Sequence, residues 1–206
     1  MYVGCRNGIE VIDLRTFNRR GRGRRSALKI DNEQDQGEIS AIELTPYEWP
    51  YKVVCGTSNG FLQYYDVRNG RKLTLDVGYM YGGKYGIEIS EVRMCGEYCY
   101  LMIEEERGSS KVVEINAERV GNEIVREYDW EKMTEEKQER YRTQFAVIEG
   151  GIMVGSGLPG GEVVVMKNGE EKKISFGKEV VSRISYRGEV VVVGDDTGWV
   201  YPGAAE

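Results

Sequence analysis

The sequence predicts an all-β fold of short strands. Three observations predict it: glycines spread along the chain, Asn-Gly pairs set between apolar runs, and a strand–turn–strand unit that recurs. Of 206 residues, 27 are glycine and only 4 are proline, and the glycines are dispersed rather than clustered. Glycine takes positive φ at tight turns without a steric penalty, so this distribution implies many turns between short strands. Hydrophobic residues make up 40% of the chain and charged residues 30%, a globular balance over one domain spanning 1–206.

The clearest copy of the unit runs Val53-Val54-Cys55-Gly56, Thr57-Ser58-Asn59-Gly60, Phe61 to Arg68 and Asn69-Gly70. It reads as strand, turn, strand, turn. Asn-Gly suits two-residue hairpin loops because both central positions take positive φ. The unit recurs as Val3-Gly4-Cys5-Arg6-Asn7-Gly8 followed by Ile9 to Arg15, and as Val154-Gly155 through Met166 with Asn168-Gly169. Near the end it is Val193-Gly194 to Gly198, then Trp199-Val200-Tyr201.

The equivalent glycines are 4, 56, 155 and 194, separated by 52, 99 and 39 residues. The gap of 99 is close to two periods, so a degenerate copy is expected near residue 104. There Cys99 to Ile103 is apolar, Glu104 to Ser110 is a polar turn and Lys111 to Ile115 is a second strand. A further strand precedes each later hairpin, at Ile39 to Leu44, Ile87 to Met94, Gln144 to Ile148 and Val180 to Tyr186. Another follows at Arg71 to Val77, Glu123 to Tyr128 and Lys172 to Phe176. Four strands per period of roughly 40 to 50 residues is a propeller blade. The expected architecture is therefore a small β-propeller of about five four-stranded blades with eighteen strands in all. The chain starts on the second strand of a blade and ends on the third. Those ends are expected to complete one blade together or to pair with another chain, including a second copy of this one.

One stretch departs from this grammar. Residues 129–142 are predicted to form a short helical insertion, with Thr134 as cap, Glu135 and Glu136 at the positive end, and Glu136 paired with Arg140.

Ile39-Ser40-Ala41-Ile42, Val54 to Gly60 and Tyr65-Asp66-Val67-Arg68 together resemble one WD repeat. Tyr65-Asp66 stands where that family carries Trp-Asp, and Ile12-Asp13 takes the same place in the first copy. The resemblance to WD40-like propellers is strongest over residues 1–77. The chain has no histidine, so the family's upstream Gly-His pair is missing and the hydrogen-bonded network inside each blade lacks its usual member.

The lack of histidine also removes the usual general base, the usual zinc ligand and any Ser-His or Cys-His pair. No catalytic residue, metal site or cofactor is expected. Asp195-Asp196 and Glu104-Glu105-Glu106 read as turn residues, since adjacent strand residues point to opposite faces. A hydrolase or lectin working in a propeller channel would need carboxylates converging from different blades. Gly155-Ser156-Gly157-Leu158-Pro159-Gly160 matches the dinucleotide fingerprint, but the β-branched run Val163 to Val165 follows it, so it reads as a hairpin loop. Cys95 and Cys99 lie across what reads as a three-residue hairpin loop, close enough for a disulfide, with two reduced and packed thiols as the favoured reading. Cys5 and Cys55 read as core.

Two features could bind a partner. Tyr79, Tyr81 and Tyr85 lie in a Gly-rich connection, 78–86, and Tyr47, Trp49 and Tyr51 surround Pro46 and Pro50. Tyr and Trp on adaptable loops supply rigid contact area, so a protein-interaction or scaffolding module is the leading expectation, with another protein as partner. The second feature is Arg19, Arg20, Arg22, Arg24 and Arg25. Residues 15–29 carry seven positive charges and no acid within a chain of net charge −6. That cluster could bind phosphates and hence nucleic acid, although only Phe17 accompanies it; its alternative is a solvated loop. No signal peptide precedes the repeat, and the longest apolar runs, such as Val190 to Val193, are too short to span a bilayer. A soluble, intracellular protein without membrane association is expected, and the composition leans towards a thermophilic source.

Overall fold

The structure, a computed structural model, describes residues 2–5, 8–12, 26–31, 34–45, 53–66, 70–81, 86–105, 110–117, 124–129, 144–155, 162–175, 181–187, 190–195 and 200–204. These residues hold eighteen strands in five antiparallel sheets. The first sheet contains β1 (Tyr2–Cys5), β2 (Gly8–Ile12) and β3 (Ser26–Asp31). The second contains β4 (Ile39–Leu44), β5 (Val53–Thr57), β6 (Phe61–Asp66) and β7 (Arg71–Asp76). The third contains β8 (Ile87–Cys95), β9 (Tyr98–Glu105), β10 (Ser110–Asn116) and β11 (Ile124–Asp129). The fourth contains β12 (Gln144–Ile148), β13 (Gly151–Gly155), β14 (Glu162–Lys167) and β15 (Glu170–Ser175). The fifth contains β16 (Val181–Arg187), β17 (Val190–Asp195) and β18 (Val200–Ala204).

Every strand pairs with its neighbour in sequence, so each sheet is a meander. The all-β expectation holds, and the degenerate copy inferred from spacing is β9 and β10. Helix among the described residues is confined to a 3-10 turn at Gln34–Gln36 and one four-residue helix, α1 (Val77–Met80). Asp129 ends β11, and the rest of the expected helical insertion lies outside the described residues. No helix among the described residues is long and apolar enough to cross a membrane.

The chain divides into two compact units, Met1–Arg107 with Val113–Val125, and Gly108–Val112 with Arg126–Glu206. In the first unit the second sheet is buried on both faces. Side chains alternate along a strand, so β5 and β6 each serve two cores. Val54, Leu62 and Tyr64 join Ile87, Ile89, Val92, Cys99, Leu101, Ile103, Val113 and Ile115 of the third sheet. Val53, Cys55 and Tyr65 face the other way and pack with Ile9 of β2. Two buried faces explain why these strands read as nearly continuous apolar runs rather than as an alternation. The outermost strands read differently. β15, Glu170–Ser175, is charged and exposed along most of its length, which protects a sheet edge from unwanted pairing.

In the second unit Ile152, Val163, Val164 and Met166 are buried. Its Asn168-Gly169 turn has φ of 54° and 84°, the two positive values expected of a two-residue Asn-Gly loop. The Asn59-Gly60 turn differs from that expectation. Its loop is Ser58 to Gly60, and only Gly60 has positive φ, at 77°. The Gly60 N–H donates to the Thr57 carbonyl at 3.1 Å, and the Thr57 hydroxyl accepts from the Phe61 N–H at 3.0 Å. The threonine side chain closes the extra residue into the turn, which a two-residue reading could not foresee.

The Cys95–Cys99 hairpin is also tighter than its spacing implies. Cys95 pairs with Tyr98 and Met94 with Cys99, leaving a two-residue loop and placing the cysteines on opposite faces. Both are free thiols; Cys99 is packed as expected, whereas Cys95 is exposed.

Candidate interaction surface

One end of the first unit is fastened by hydrogen bonds between its connections. Asp76 caps α1, its carboxylate accepting from the Tyr79 N–H at 2.8 Å. The Val77 N–H donates to the Gly60 carbonyl at 3.0 Å, tying the helix to the β5–β6 turn. That turn is in turn held to the segment before β4. Ser58 N–H donates to the Glu38 carbonyl at 2.9 Å, the Ser58 hydroxyl accepts from the Glu38 N–H at 2.9 Å, and the Asn59 amide donates to the Asp35 carbonyl at 2.9 Å.

This frame separates the tyrosines that the sequence grouped together. Val77 and Gly78 of the helix are buried, and Tyr81 is half-buried against the core shared by the second and third sheets. Tyr79 is 74% exposed. Tyr81 therefore anchors the connection and Tyr79 is presented by it. Tyr85, the third member, lies outside the described residues, as do Tyr47, Trp49 and Tyr51 and all of Arg19, Arg20, Arg22, Arg24 and Arg25.

The strand directions still say which ends these segments join. β4 runs away from the α1 end to Leu44, and β5 returns from Val53, so Leu44 and Val53 lie at the opposite end. In the first sheet Gly8 pairs with Asp31, and Asp31 leads towards Gln34 at the α1 end. Ile12 and Ser26 pair at the other end, and they flank the arginine-rich segment. Ile12 and Ser26 thus lie at the same end of the first sheet as Leu44 and Val53 do of the second, away from Tyr79.

Inside the second sheet, buried polar side chains form a network. The Gln63 amide donates to the Gln36 side-chain carbonyl at 2.6 Å, the Tyr65 hydroxyl donates to the Gln63 side-chain carbonyl, and the Lys72 ammonium reaches Gln36 at 3.0 Å. Gln36, Gln63 and Tyr65 are all buried. Tyr65 is the residue that the WD-like resemblance sets at tryptophan's position, and the network around it is built from glutamines. Buried amides must find partners, because each one left unpaired costs about 1–3 kcal/mol. The signal that could have revealed this network is Gln63 itself, a polar residue in the apolar run Phe61 to Tyr65.

Two carboxylates from neighbouring sheets also converge. Arg93 of β8 pairs with Glu43 of β4 at 3.0 Å and with Glu91 of its own strand. The guanidinium between them joins the two sheets through charge-assisted hydrogen bonds. Among the described residues no group of three or more His, Cys, Asp or Glu side chains could hold a metal ion. Gly155 ends β13 and strand β14 opens at Glu162, so the glycine-rich sequence between them joins two strands. The Cys99 thiol is pushed up to about 12 chiefly by burial, with Glu43 adding to the rise and Tyr64 opposing it. Burial likewise raises Cys55. These thiols stay protonated and unreactive at neutral pH.

No protein-family model matches the chain, and no curated protein is similar to it in sequence. Solved structures are similar in fold. A chain of the Mitotic Checkpoint Complex aligns with a TM-score of 0.65 at 12% identity, over 99% of this chain and 58% of that one. The computationally designed Ika8 protein aligns at 0.57 and 15% identity, over 98% of this chain and 54% of that one. The designed Ika4 protein aligns at 0.51 and 15% identity, over 82% and 92%. The chain thus spans little more than half the length of the Ika8 and checkpoint chains. At these identities the likeness is one of fold alone, an all-β, propeller-like stack of antiparallel sheets.

Proposed function

We propose that this protein is a non-catalytic interaction module whose five sheets are the blades of one small WD-like propeller, and that it grips another protein through Tyr79 and its connection. The observation that carries this reading is the exposure of Tyr79 on a capped, hydrogen-bonded turn. A large aromatic held rigid before binding loses little conformational freedom on contact. The checkpoint chain of similar fold is, by its name, part of a protein assembly. The terminal sheets offer a second route to association, with another copy of the chain.

The test is affinity capture with the tagged chain and with a Tyr79→Ala, Tyr85→Ala variant. Tyr79 is solvent-exposed, so its replacement should change stability by no more than about 0.5 kcal/mol. Partners recovered by the parent chain should be lost by the variant. Equal recovery by both contradicts the assignment of this connection.

A second reading starts from the clustered positive charge. Five arginines fall within residues 19–25 without an acid, and Tyr47, Trp49 and Tyr51 supply aromatic side chains elsewhere in the chain. Single-stranded nucleic acid is bound by that combination, through counterion release and base stacking. A salt titration of RNA binding tests it: affinity should fall steeply with ionic strength and vanish when the five arginines become glutamine. Absence of binding at low salt removes this reading.

A further inference from the structure

An asparagine followed by glycine can react with its own backbone. The glycine nitrogen attacks the asparagine Cγ, and with no Cβ on the glycine little hinders the approach. Four such pairs stand in this chain, Asn7-Gly8, Asn59-Gly60, Asn69-Gly70 and Asn168-Gly169. Asn7 and Asn69 lie outside the described residues. Asn59 and Asn168 are both described and both exposed, so access of water does not distinguish them. Hydrogen bonding does. At Asn59 both reacting groups are held: the side-chain amide donates to the Asp35 carbonyl at 2.9 Å, and the Gly60 N–H donates to the Thr57 carbonyl at 3.1 Å. The Gly70 N–H is held in the same way, by the Asp66 carbonyl at 2.9 Å.

Asn168 is fastened only through its own backbone N–H, which donates to the Gly150 carbonyl at 3.2 Å. Its side-chain amide and the Gly169 N–H find no hydrogen-bond partner among the described residues. The amide oxygen lies over Gly150, where a Cβ would come within 3.0 Å of it, so that glycine leaves the amide its room. The turn supplies the route. Lys167 pairs with Glu170 across the loop, and Asn168 and Gly169 have φ of 54° and 84°, as in a type I′ turn. Rotating the peptide plane between them gives type II′, the other turn that a two-residue hairpin accepts, with ψ of Asn168 at about −120°. That setting eclipses the Gly169 nitrogen with the Asn168 Cβ and brings it to Cγ. The rotation breaks no hydrogen bond among the described residues, and the strands need not part. The same rotation at Asn59 breaks the Gly60 bond to Thr57.

We propose that Asn168 is a self-modifying site, converting to aspartate and isoaspartate in the folded protein with water as the co-reactant. The Gly169 nitrogen gives up its proton to solvent and bonds to Cγ. The Cγ–Nδ2 bond breaks, and the amide nitrogen takes a proton from solvent and leaves as ammonia. Water then opens the cyclic imide at either carbonyl. Opening at Cγ leaves aspartate; opening at the main-chain carbon leaves isoaspartate, whose backbone carries a further carbon. Either product sets a new carboxylate beside Glu170. Isoaspartate also lengthens a loop whose length fixes the register of β14 with β15, so the modification loosens the edge hairpin of the fourth sheet.

The test is a time course on the full, folded chain at mildly alkaline pH, read by mass spectrometry of its proteolytic peptides. The peptide holding Asn168 should gain the mass difference between an amide and an acid. It should do so at least about tenfold faster than the peptide holding Asn59, because two hydrogen bonds, each worth roughly a factor of a few, hold Asn59 back. In denaturant the two should convert at equal rates, which separates the effect of the fold from that of the dipeptide. Asn168→Gln should abolish the change at this position. Conversion at Asn168 no faster than at Asn59 in the folded chain overturns the proposal. So does conversion at neither over a period in which the denatured chain converts both.

Discussion

Replacing Gly56 with valine is expected to destabilise the first unit by about 3 kcal/mol, the upper part of the range for overpacked cores. The position is not demanding because of its backbone angles; it is demanding because another sheet lies on it. A Cβ would meet the Ile89 side chain and lie 2.9 Å from the Ile89 carbonyl oxygen. The side chain can rotate, but the backbone carbonyl cannot move without disturbing the pairing of β8 with β9. Ser40 is bonded to that same carbonyl, so a shift of β8 breaks the hydroxyl contact as well. In chemical denaturation the midpoint should fall with an unchanged slope, and the melting temperature should drop by roughly 6–12 °C.

The second large effect is expected from truncating Leu101. It is fully buried in the core between the second and third sheets, beside Val54, Leu62, Ile89 and Ile103. Leu→Ala at such a site removes transfer energy and leaves a cavity, about 2–5 kcal/mol together. Strands pinned by ladders on both sides cannot collapse far into the space, which favours the middle of that range or above. Leu44, by contrast, is 55% exposed at the end of β4, and Leu44→Ala should cost less than about 0.5 kcal/mol. The same chemical change at two sites thus measures burial. Equal effects at both would mean that Leu101 is not in a packed core.

The strands were legible because their pattern is local. Apolar runs punctuated by Gly and Asn place each hairpin, and even the degenerate copy near residue 104 could be located from the spacing of Gly56 and Gly155. Loop detail was less legible. Thr57 adds a side-chain acceptor to its turn, and the Cys95–Cys99 loop holds two residues rather than three, because register depends on pairing partners that spacing alone does not fix. The glutamine network was illegible for a different reason. Gln36 precedes the second sheet while Gln63 and Tyr65 lie within it, so the contact is one of tertiary folding.

The tyrosines show the same division. Sequence grouped Tyr79 and Tyr81 as equals; the Asp76 cap and the Val77 anchor turn one outward and the other towards the core. The bulge serines were visible as Ser40, Ser90 and Ser182, yet nothing in the letters said that each stands out of its ladder. Register supplied that. Gly56 and Gly155 read as the glycines that close a strand before its turn, and the structure gives both a cause that the letters did not name, the close approach of Ile89 and of Ile184.

The central claim is that neighbouring sheets stack directly, glycine against isoleucine. A double-mutant cycle on Gly56→Ala and Ile89→Ala measures that contact most directly. Residues in contact couple by about 0.5–3 kcal/mol, whereas distant ones add within about 0.5 kcal/mol. The double variant should be more stable than the sum of the single losses by at least about 0.5 kcal/mol, because losing the isoleucine branch removes the nearest of the new methyl's close contacts while those to the Ile89 Cβ and carbonyl oxygen remain. Strict additivity would place the two residues apart and contradict the stacked arrangement.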